Sequence, residues 1–562
     1  MIVSMCKYVF FYLISLQGHE KLRTFIAKIK QKANIMKTKI LFLILFMSLS
    51  ISLPSFSMGD ENVLFTINGL EYSYIPPSPF DMNPEPIDSS IVMVCGYEKP
   101  DNFDSKQPLR ILGSVIYNGK TYQVKEIKRG ALEGILSVKE IIVEDGIEKI
   151  GDNAFLSCYY LESLYLPASV KKIGNNISLN CNNLKKVVVD SKNEIYDSRD
   201  NCNAIIDTKR NSLEEVCPST TIPSSVKEIG TSAFAGFTHL EKFVVPEGIE
   251  VIRLDAFAFC SNLKEIKMPE SLRVIGVDAF RNCTSLESVF IPKNVYKIEG
   301  NPFAGCYSLT SIVVDKENKY LDSRSGCNAI IDTRDSRLLA ACKTTRIVEG
   351  IRDLGNGFEG VAVHSIRIPK SVEYIHGDNL SDCTEVDTLT VAPDHPKYIS
   401  PEGSNAILTK DGKELVLGCR TTKIPAGVEE IGFDAFNGRC TDIVLTLPEG
   451  IKTIDKGAFV NNKSICMVAL PSTVTEIGEN AFSSCENLQA VQFNAPIEEI
   501  APHAFCNCKN LTTINIPEGV KKICSGAFSW CTKLKNIHLP STLEKIEKDA
   551  FKECPFEESI RK

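Results

Sequence analysis

Residues that usually carry chemistry are scarce in this 562-residue chain, which has one tryptophan, Trp530, and seven dispersed histidines. No Gly-x-x-x-x-Gly-Lys stretch offers backbone amides to a phosphate, and no Gly-x-Ser-x-Gly turn raises a nucleophilic serine. The oxygen-rich Asp-x-Asp-x-Asp-Gly loop that calcium favours is missing. Cys506 and Cys508 flank Asn507, but no paired Cys-x-x-Cys or nearby histidine completes a tetrahedral metal set. His239, His364, His503 and His538 sit in repeating slots, more naturally structural or exposed than catalytic. The sequence therefore presents no catalytic, cofactor or metal constellation and reads as a non-enzyme. An excess of one charge is lacking too. A net charge of -7 without a basic stripe gives no electrostatic case for nucleic acid. With 43% apolar and 24% charged residues the chain is too apolar for disorder.

Long hydrophobic runs are equally rare. Ile40 to Leu53 is apolar but too short for a comfortable membrane span. Lys37 and Lys39 precede it, and Ser55-Phe56-Ser57 places small residues where a signal peptidase reads. Residues 36–57 are thus expected to be an export signal opening at Met36, with 1–35 an upstream extension from a mis-assigned start. The mature chain should begin near Met58 and be extracellular or at the cell surface. No C-terminal anchor is evident after Phe551, so release and surface retention both remain open. Residues 58–125 contain strand-like Phe65-Thr66-Ile67, Ile91-Val92-Met93-Val94 and Tyr122-Gln123-Val124, with Asn118-Gly119 as a hairpin turn. They are expected to form a β cap, the prolines between Pro76 and Pro86 lying in a loop.

What the chain has in abundance is a repeat, expected over 126–562. One copy runs Leu263, Ile266, Met268, Pro269, Leu272, Ile275, Ala279, Phe280, Cys283. The Phe anchor recurs every 23 residues at Phe234, Phe257, Phe280 and Phe303, then at Phe436, Phe459, Phe482, Phe505, Phe528 and Phe551. Degenerate anchors stand at Leu132, Ser178, Phe358 and Leu380. A fixed period in this range marks a solenoid, in which no unit buries its apolar face without its neighbours. Ile266 and Met268 have strand spacing, Pro269 ends the ladder for want of an N–H, and Leu272 with Ile275 makes a second extended segment. Twenty-three residues leave no room for a crossover helix, so short turns should complete the coil. Three steps are longer, near 187–226, 312–351 and 389–428. Their shared Asn203-Ala204-Ile205-Ile206, Asn328-Ala329-Ile330-Ile331 and Asn405-Ala406-Ile407-Leu408 predict a regular hairpin-like excursion.

The string Leu-x-x-Ile-x-Leu-Pro…Ile-Gly-x-x-Ala-Phe-x-x-Cys resembles the BspA-like bacterial leucine-rich repeats over roughly residues 125–554. The resemblance implies a right-handed solenoid with a parallel sheet on its concave face. It also implies a secreted or surface protein with an adhesin-like role toward a host or matrix protein.

Two slots need separate reading. Gly151, Gly174, Gly230, Gly276, Gly432 and Gly478 follow the second Ile, but the same slot holds Arg253, Glu299, Asp455, Ala501, Cys524 and Glu547. A backbone demanding positive φ would not accept so many side chains, so ordinary φ is expected there. Ten of the 21 cysteines lie three residues after an anchor, a slot shared with Asn462 and Phe237. That interchange favours a ladder of free, buried thiols, with scattered cross-links between coils still open. Cys202/Cys217 and Cys327/Cys342 recur at one spacing and admit a local disulfide, although Ser404 stands opposite Cys419 in the third long unit.

Surface recognition is the remaining question, and the concave strand face and the projecting long-unit excursions are the two places expected to carry it. The residue between the last two inward positions of each main strand should face the concave side. In order these are Ile142, Tyr165, Val188, Val244, Lys267, Phe290 and Val313, largely apolar, and then Arg367, Thr390, Thr446, Ala469, Gln492, Asn515 and His538, largely polar. The first row is the candidate partner-binding stripe, because contiguous apolar surface often marks a partner site. Exposed strand positions also favour β-branched and aromatic residues for their own sake, which is the competing reading. A structural envelope protein without a soluble ligand is one alternative function. A carbohydrate-binding protein, hinted at by Trp530 alone, is the other.

Overall fold

The computed structural model describes residues 63–76, 88–100 and 107–555. The expected upstream extension, export signal and most of the proline loop lie outside them. From Leu64 onward the described residues belong to one compact unit. Within it the chain coils as a parallel β-solenoid. Helical structure among the described residues is confined to three single 3-10 turns, Arg199–Asn201, Arg324–Gly326 and Gly377–Leu380.

Each 23-residue turn contributes to three backbone ladders. The main ladder stacks strands of three or four residues in register, as where Val289 meets Ile312 and Val468 meets Val491. A second ladder stacks two-residue strands, with Ile229, Ile252, Ile275 and Ile298 aligned in succession. The corner carrying the anchor forms the third. Phe234 N–H donates to Ala256 O at 2.8 Å and Phe257 N–H to Ala279 O at 2.7 Å, each to the following turn. The ladder segments of a turn are thus paired with its neighbours, while tight turns such as Leu272 N–H to Pro269 O and Cys283 N–H to Phe280 O close the corners within it.

Burial follows the expected slots. Leu263, Leu272, Ile275, Ala279, Phe280 and Cys283 are all fully buried. The anchor rings stack in parallel, Phe257 on Phe280 at 5.3 Å and Phe280 on Phe303 at 5.5 Å. The later run from Phe436 to Phe551 repeats this at 5.1 to 5.5 Å. Interplanar angles of 3–14° with this spacing describe offset stacks, the favoured parallel arrangement.

The cysteine slot is a hydrogen-bond donor. The thiols of Cys181, Cys260, Cys283, Cys485 and Cys508 each donate to the anchor carbonyl of the preceding turn at 3.1–3.3 Å. Asn462 does the same through its amide, donating to Phe436 O at 2.9 Å while accepting from Cys440 N–H. All described cysteines are free. Cys217, Cys342 and Cys419 each donate to the carbonyl of the Asn that opens their own excursion, at 3.3–3.4 Å. That bond accounts for the recurring cysteine in all three units, including the one whose opposite residue is Ser404.

The glycine slot has ordinary φ, as its occupancy predicted. Its preference for Gly is steric: a Cβ on Gly478 would sit 2.5 Å from Lys456 N and one on Gly151 2.5 Å from Arg129 N. Positive φ occurs instead two residues before and two after the anchor. Asp255, Asp278 and Asn480 fill the first slot; Ser157, Asn282, Asn461 and Asn507 fill the second. Phe259 and Trp530 occupy the second slot at φ 61 and 63. For such side chains this region costs about 1–2 kcal/mol.

The segment ahead of the repeats contains the three expected strands together with Leu70–Tyr74 and Leu109–Ile111, which were not expected, and Asn118-Gly119 turns the Ser114–Tyr117/Lys120–Ile127 hairpin. Lys120–Ile127 pairs in parallel with Ile91–Tyr97 on one side and Lys149–Ile150 on the other. The main ladder already begins at Leu109–Ile111, whose next strand is Glu140–Val143. Both ladders thus run into this segment, and it covers the first coil by continuing them.

The three long units are partitions. In the first, Tyr196–Asp197, Ala204–Asp207 and Ser212–Val216 form an antiparallel meander whose last strand joins the second ladder. The same meander recurs in the second and third units. Ile205 packs into the core block before it and Ile206 into the block after it. Ile330 and Ile331 divide likewise, as do Ile407 and Leu408. A strand buried on both faces needs consecutive apolar residues, which explains the Ala-Ile-Ile run.

Replacing Phe280 by Ala removes the middle ring of a stack. Urea unfolding should show a loss of about 3–5 kcal/mol; a loss below about 1 kcal/mol would contradict the role given to the anchor stack.

Candidate interaction surface

The outward row divides where the first partition stands. Arg110, Ile142, Tyr165 and Val188 align in one four-stranded parallel sheet. Val244 and Lys267 align in the next, as do Phe290 and Val313. The single contiguous stripe expected from the sequence is therefore two sheets, since Ala204–Asp207 and its hairpin intervene between Val188 and Val244.

Exposure differs between the two. Ile142, Tyr165 and Val188 are only partly exposed, and the Lys186 ammonium lies 5.0 Å from the centre of the Tyr165 ring. Val244, Phe290 and Val313 are 65%, 47% and 43% exposed, with Lys267 among them. The strongest apolar display of the row is thus in its second half, on strands Lys242–Val244, Ser288–Ile291 and Ser311–Val314.

The later coils carry an apolar patch the sequence reading missed. Each main strand has two outward slots, and the reading took only the second. At the first slot Val444 pairs with Met467 and Met467 with Ala490. Val444 and the preceding Ile443 are 52% and 66% exposed. The polar residues Thr446 and Gln492 do occupy the second slot, separated by Ala469.

Buried polar groups hold the partitions, and each occurs once. Beside the first, the Glu215 carboxylate accepts from Ser178 Oγ at 2.6 Å and from the amides of Ile177 and Ser178 at 3.1 and 3.2 Å. Full burial pushes its pKa up to about 7, although these three donors pull it down. Ser178, a degenerate anchor, is explained by this bond. Beside the second, the Asn301 amide donates to Gly357 O while Phe303 N–H donates to Asn301 Oδ1. Beside the third, Arg439 stands in the cysteine slot after Phe436 and is 1% exposed. Its guanidinium donates to six backbone carbonyls, among them Leu380 O at 2.8 Å and Gly418 O at 3.0 Å. Burial lowers its pKa to about 10. The bond to Leu380 repeats, across the excursion, what a cysteine does between adjacent turns.

His395 likewise substitutes for an asparagine. Asn193 and Asn318 accept two backbone amides through Oδ1 and donate twice through Nδ2. In the third unit His395 Nδ1 accepts from Lys397 and Tyr398 N–H at 3.2 Å, and Nε2 lies 3.0 Å from Val372 O. Desolvation lowers its pKa, which suits a neutral ring with hydrogen on Nε2.

Among the described residues no group of three or more His, Cys, Asp or Glu is arranged to hold a metal, and no helix is long and apolar enough to cross a membrane. Trp530 is 50% exposed and its amide donates to Lys552 O at 2.8 Å. No second ring contacts it among the described residues, so the single aromatic residue is not part of a platform.

The repeat matches a known family profile. The profile described as BspA type Leucine rich repeat region matches in six copies, over residues 116–205, 212–329, 417–518 and 498–561. A leucine rich cell surface protein from Faecalibacterium prausnitzii is similar in structure, at 21% identity over 88% of this chain and 92% of that chain, with a TM-score of 0.32. A leucine-rich repeat protein from Eubacterium ventriosum is similar at 19% identity over 56% and 82%, with a TM-score of 0.35. One from Bacteroides ovatus is similar at 18% over 88% and 92%, with a TM-score of 0.26. No curated protein matches the sequence.

The Glu215 carboxyl provides a measurable pH effect. Its folded pKa lies above the unfolded value, so the chain should lose stability as pH rises from about 4.5 to about 7. At about 1.4 kcal/mol per unit the ceiling is about 3 kcal/mol. Urea unfolding of wild type and Glu215→Gln at pH 5 and pH 8 should show the difference shifting in favour of Gln at pH 8. A pH-independent difference would contradict the burial of an ionisable carboxyl there.

Proposed function

The chain belongs to the BspA-type leucine-rich repeat family, and from that premise we propose that it is an exported, adhesin-like module that binds a protein of a host or its matrix. Proteins of this family are often surface proteins engaged in protein interaction. The observation that supports the finer reading is the outward row of the main ladder, where Val244, Phe290 and Val313 stay exposed beside Lys267. Leaving such side chains wet forgoes about 25 cal/mol for each Å² of apolar surface that a partner could cover. Tyr165, with Ile142 and Val188, extends the row across the first partition at lower exposure.

The row suits a protein partner. In-register strands hold its side chains at fixed spacing, so little conformational entropy is lost when a partner docks. Aromatic residues on such a frame are the usual anchors of protein interfaces. The core slots cannot discriminate between partners, because Leu, Ile, Phe and Cys are consumed by packing.

The mature chain, beginning near Met58, would be immobilised and challenged with purified matrix and mucosal proteins. The pair Tyr165→Ala and Phe290→Ala should weaken any captured partner at least tenfold and leave the thermal midpoint within a few degrees. Unchanged affinity in the double variant would remove the row as the recognition surface.

A further inference from the structure

The partitions leave main-ladder strands with one bare edge. Lys242–Val244, Ser365–Ile368 and Val444–Thr446 each begin a sheet, and each pairs only with the strand after it. At the third break this edge borders a cleft of about 330 Å³. One wall is the Cys419–Ile424 limb and the other is Leu445–Pro448, with Phe436 and Cys440 also lining it.

The limb cannot itself act as the missing strand. Its backbone meets the preceding turn through one bond, Arg420 N–H to Val386 O, and the other ties are made by side chains, Thr421 Oγ to Asp387 O and the Arg420 guanidinium to Asp387 and Glu385. Thr441 Oγ ties the far turn to Arg420 O at 3.1 Å, closing one end of the cleft. Beyond that tie the edge is open. Leu447 N–H donates forward to Ala469 O, so strand alternation turns the backbone groups of Val444 and Thr446 to the unpaired side, where Thr446 lines the cleft.

We propose that an extended, apolar peptide segment of a partner protein adds as a strand to Val444–Thr446, between that edge and the Cys419–Ile424 limb. Only another extended backbone offers donors and acceptors at the two-residue spacing of Val444 and Thr446. Side chains on the inner face of the segment would lie over Phe436, Leu445 and Leu447, all lining the cleft. Those on its outer face would meet Val444 and Met467, which are 52% and 39% exposed. The rim is electrically balanced. Arg420 is held by Asp387 and Glu385, which leaves Lys423 and Asp442 as opposite charges. A polyanion finds no net attraction there, and an uncharged strand meets none of the cost of burying a charge.

The edge lies outside the row containing Phe290, so the two readings fail separately. Thr446→Pro removes the N–H that faces the cleft and costs no bond to Met467–Leu470, because the bond to that strand comes from Leu447. The probe is a phage-displayed library of linear nonapeptides panned on the mature chain. Enriched peptides should alternate apolar residues over at least three positions and bind Thr446→Pro at least tenfold more weakly, while still binding Tyr165→Ala/Phe290→Ala. The thermal midpoint of Thr446→Pro should stay within a few degrees of wild type, and circular dichroism at room temperature should be unchanged. Because the proline would also restrain the strand, Leu447→Ala and Val444→Ser serve as second variants, expected to weaken the same peptides with the edge amide intact, since both side chains would contact the added segment. Failure to enrich any peptide, or equal binding to all three cleft variants, would overturn the proposal.

Discussion

A turn of 23 residues has no room for a helix or a hairpin, so its strand segments and its anchor corner must be satisfied by the turns on either side. The anchor corner states this most sharply. An anchor N–H donates to the following turn, and the anchor carbonyl accepts a thiol from that same turn, as when Cys283 donates to Phe257 O at 3.1 Å. Both bonds demand the same rise and the same register at every step. Ring stacking, strand pairing and the steric need for Gly478 beside Lys456 all depend on that register. The period is therefore a backbone requirement before it is a matter of hydrophobic packing.

The partitions show what happens when the register is interrupted. A meander of consecutive apolar residues separates two core blocks, and the turn after it loses its thiol donor. Phe237, Val361 and Arg439 stand in that slot after the three excursions. Only Arg439 recovers the lost bond, by reaching Leu380 O with a longer side chain. Its burial without a carboxylate partner is tolerable because six carbonyls surround the charge. The same interruptions divide the main ladder into short sheets and leave bare strand edges, so the devices that break the coil also create its most distinctive surfaces.

Much of the fold was legible because burial selects residue type strongly. Leu263, Ile275 and Phe280 announced core positions, and the exchange of Cys with Asn462 and Phe237 announced a buried slot, whose role as a hydrogen-bond donor only the pairing of successive turns reveals. The positive-φ slots escaped notice because Asn, Asp, Ser, Gly and even Phe259 satisfy them, and a mixed column carries little signal. Glu215, Asn301 and Arg439 were illegible for a different reason. Each serves one partition only, so no repetition marks it. His395 becomes readable once the third long unit is aligned with Asn193 and Asn318. The surface was only half legible: the row through Phe290 came from strand alternation, but its interruption and the Val444–Met467 patch required the actual pairing.

The central claim is that register, more than local sequence, holds the coil together. Deleting one full period, residues 261–283, joins Cys260 to Thr284 and should leave every ladder bond possible. Deleting 20 residues from the same region removes a similar amount of core but shifts the register. Circular dichroism and thermal unfolding of the two deletions provide the direct comparison. The full-period variant should keep a cooperative transition within about 10 °C of wild type, and the 20-residue variant should lose it. Equal behaviour of the two would contradict the account.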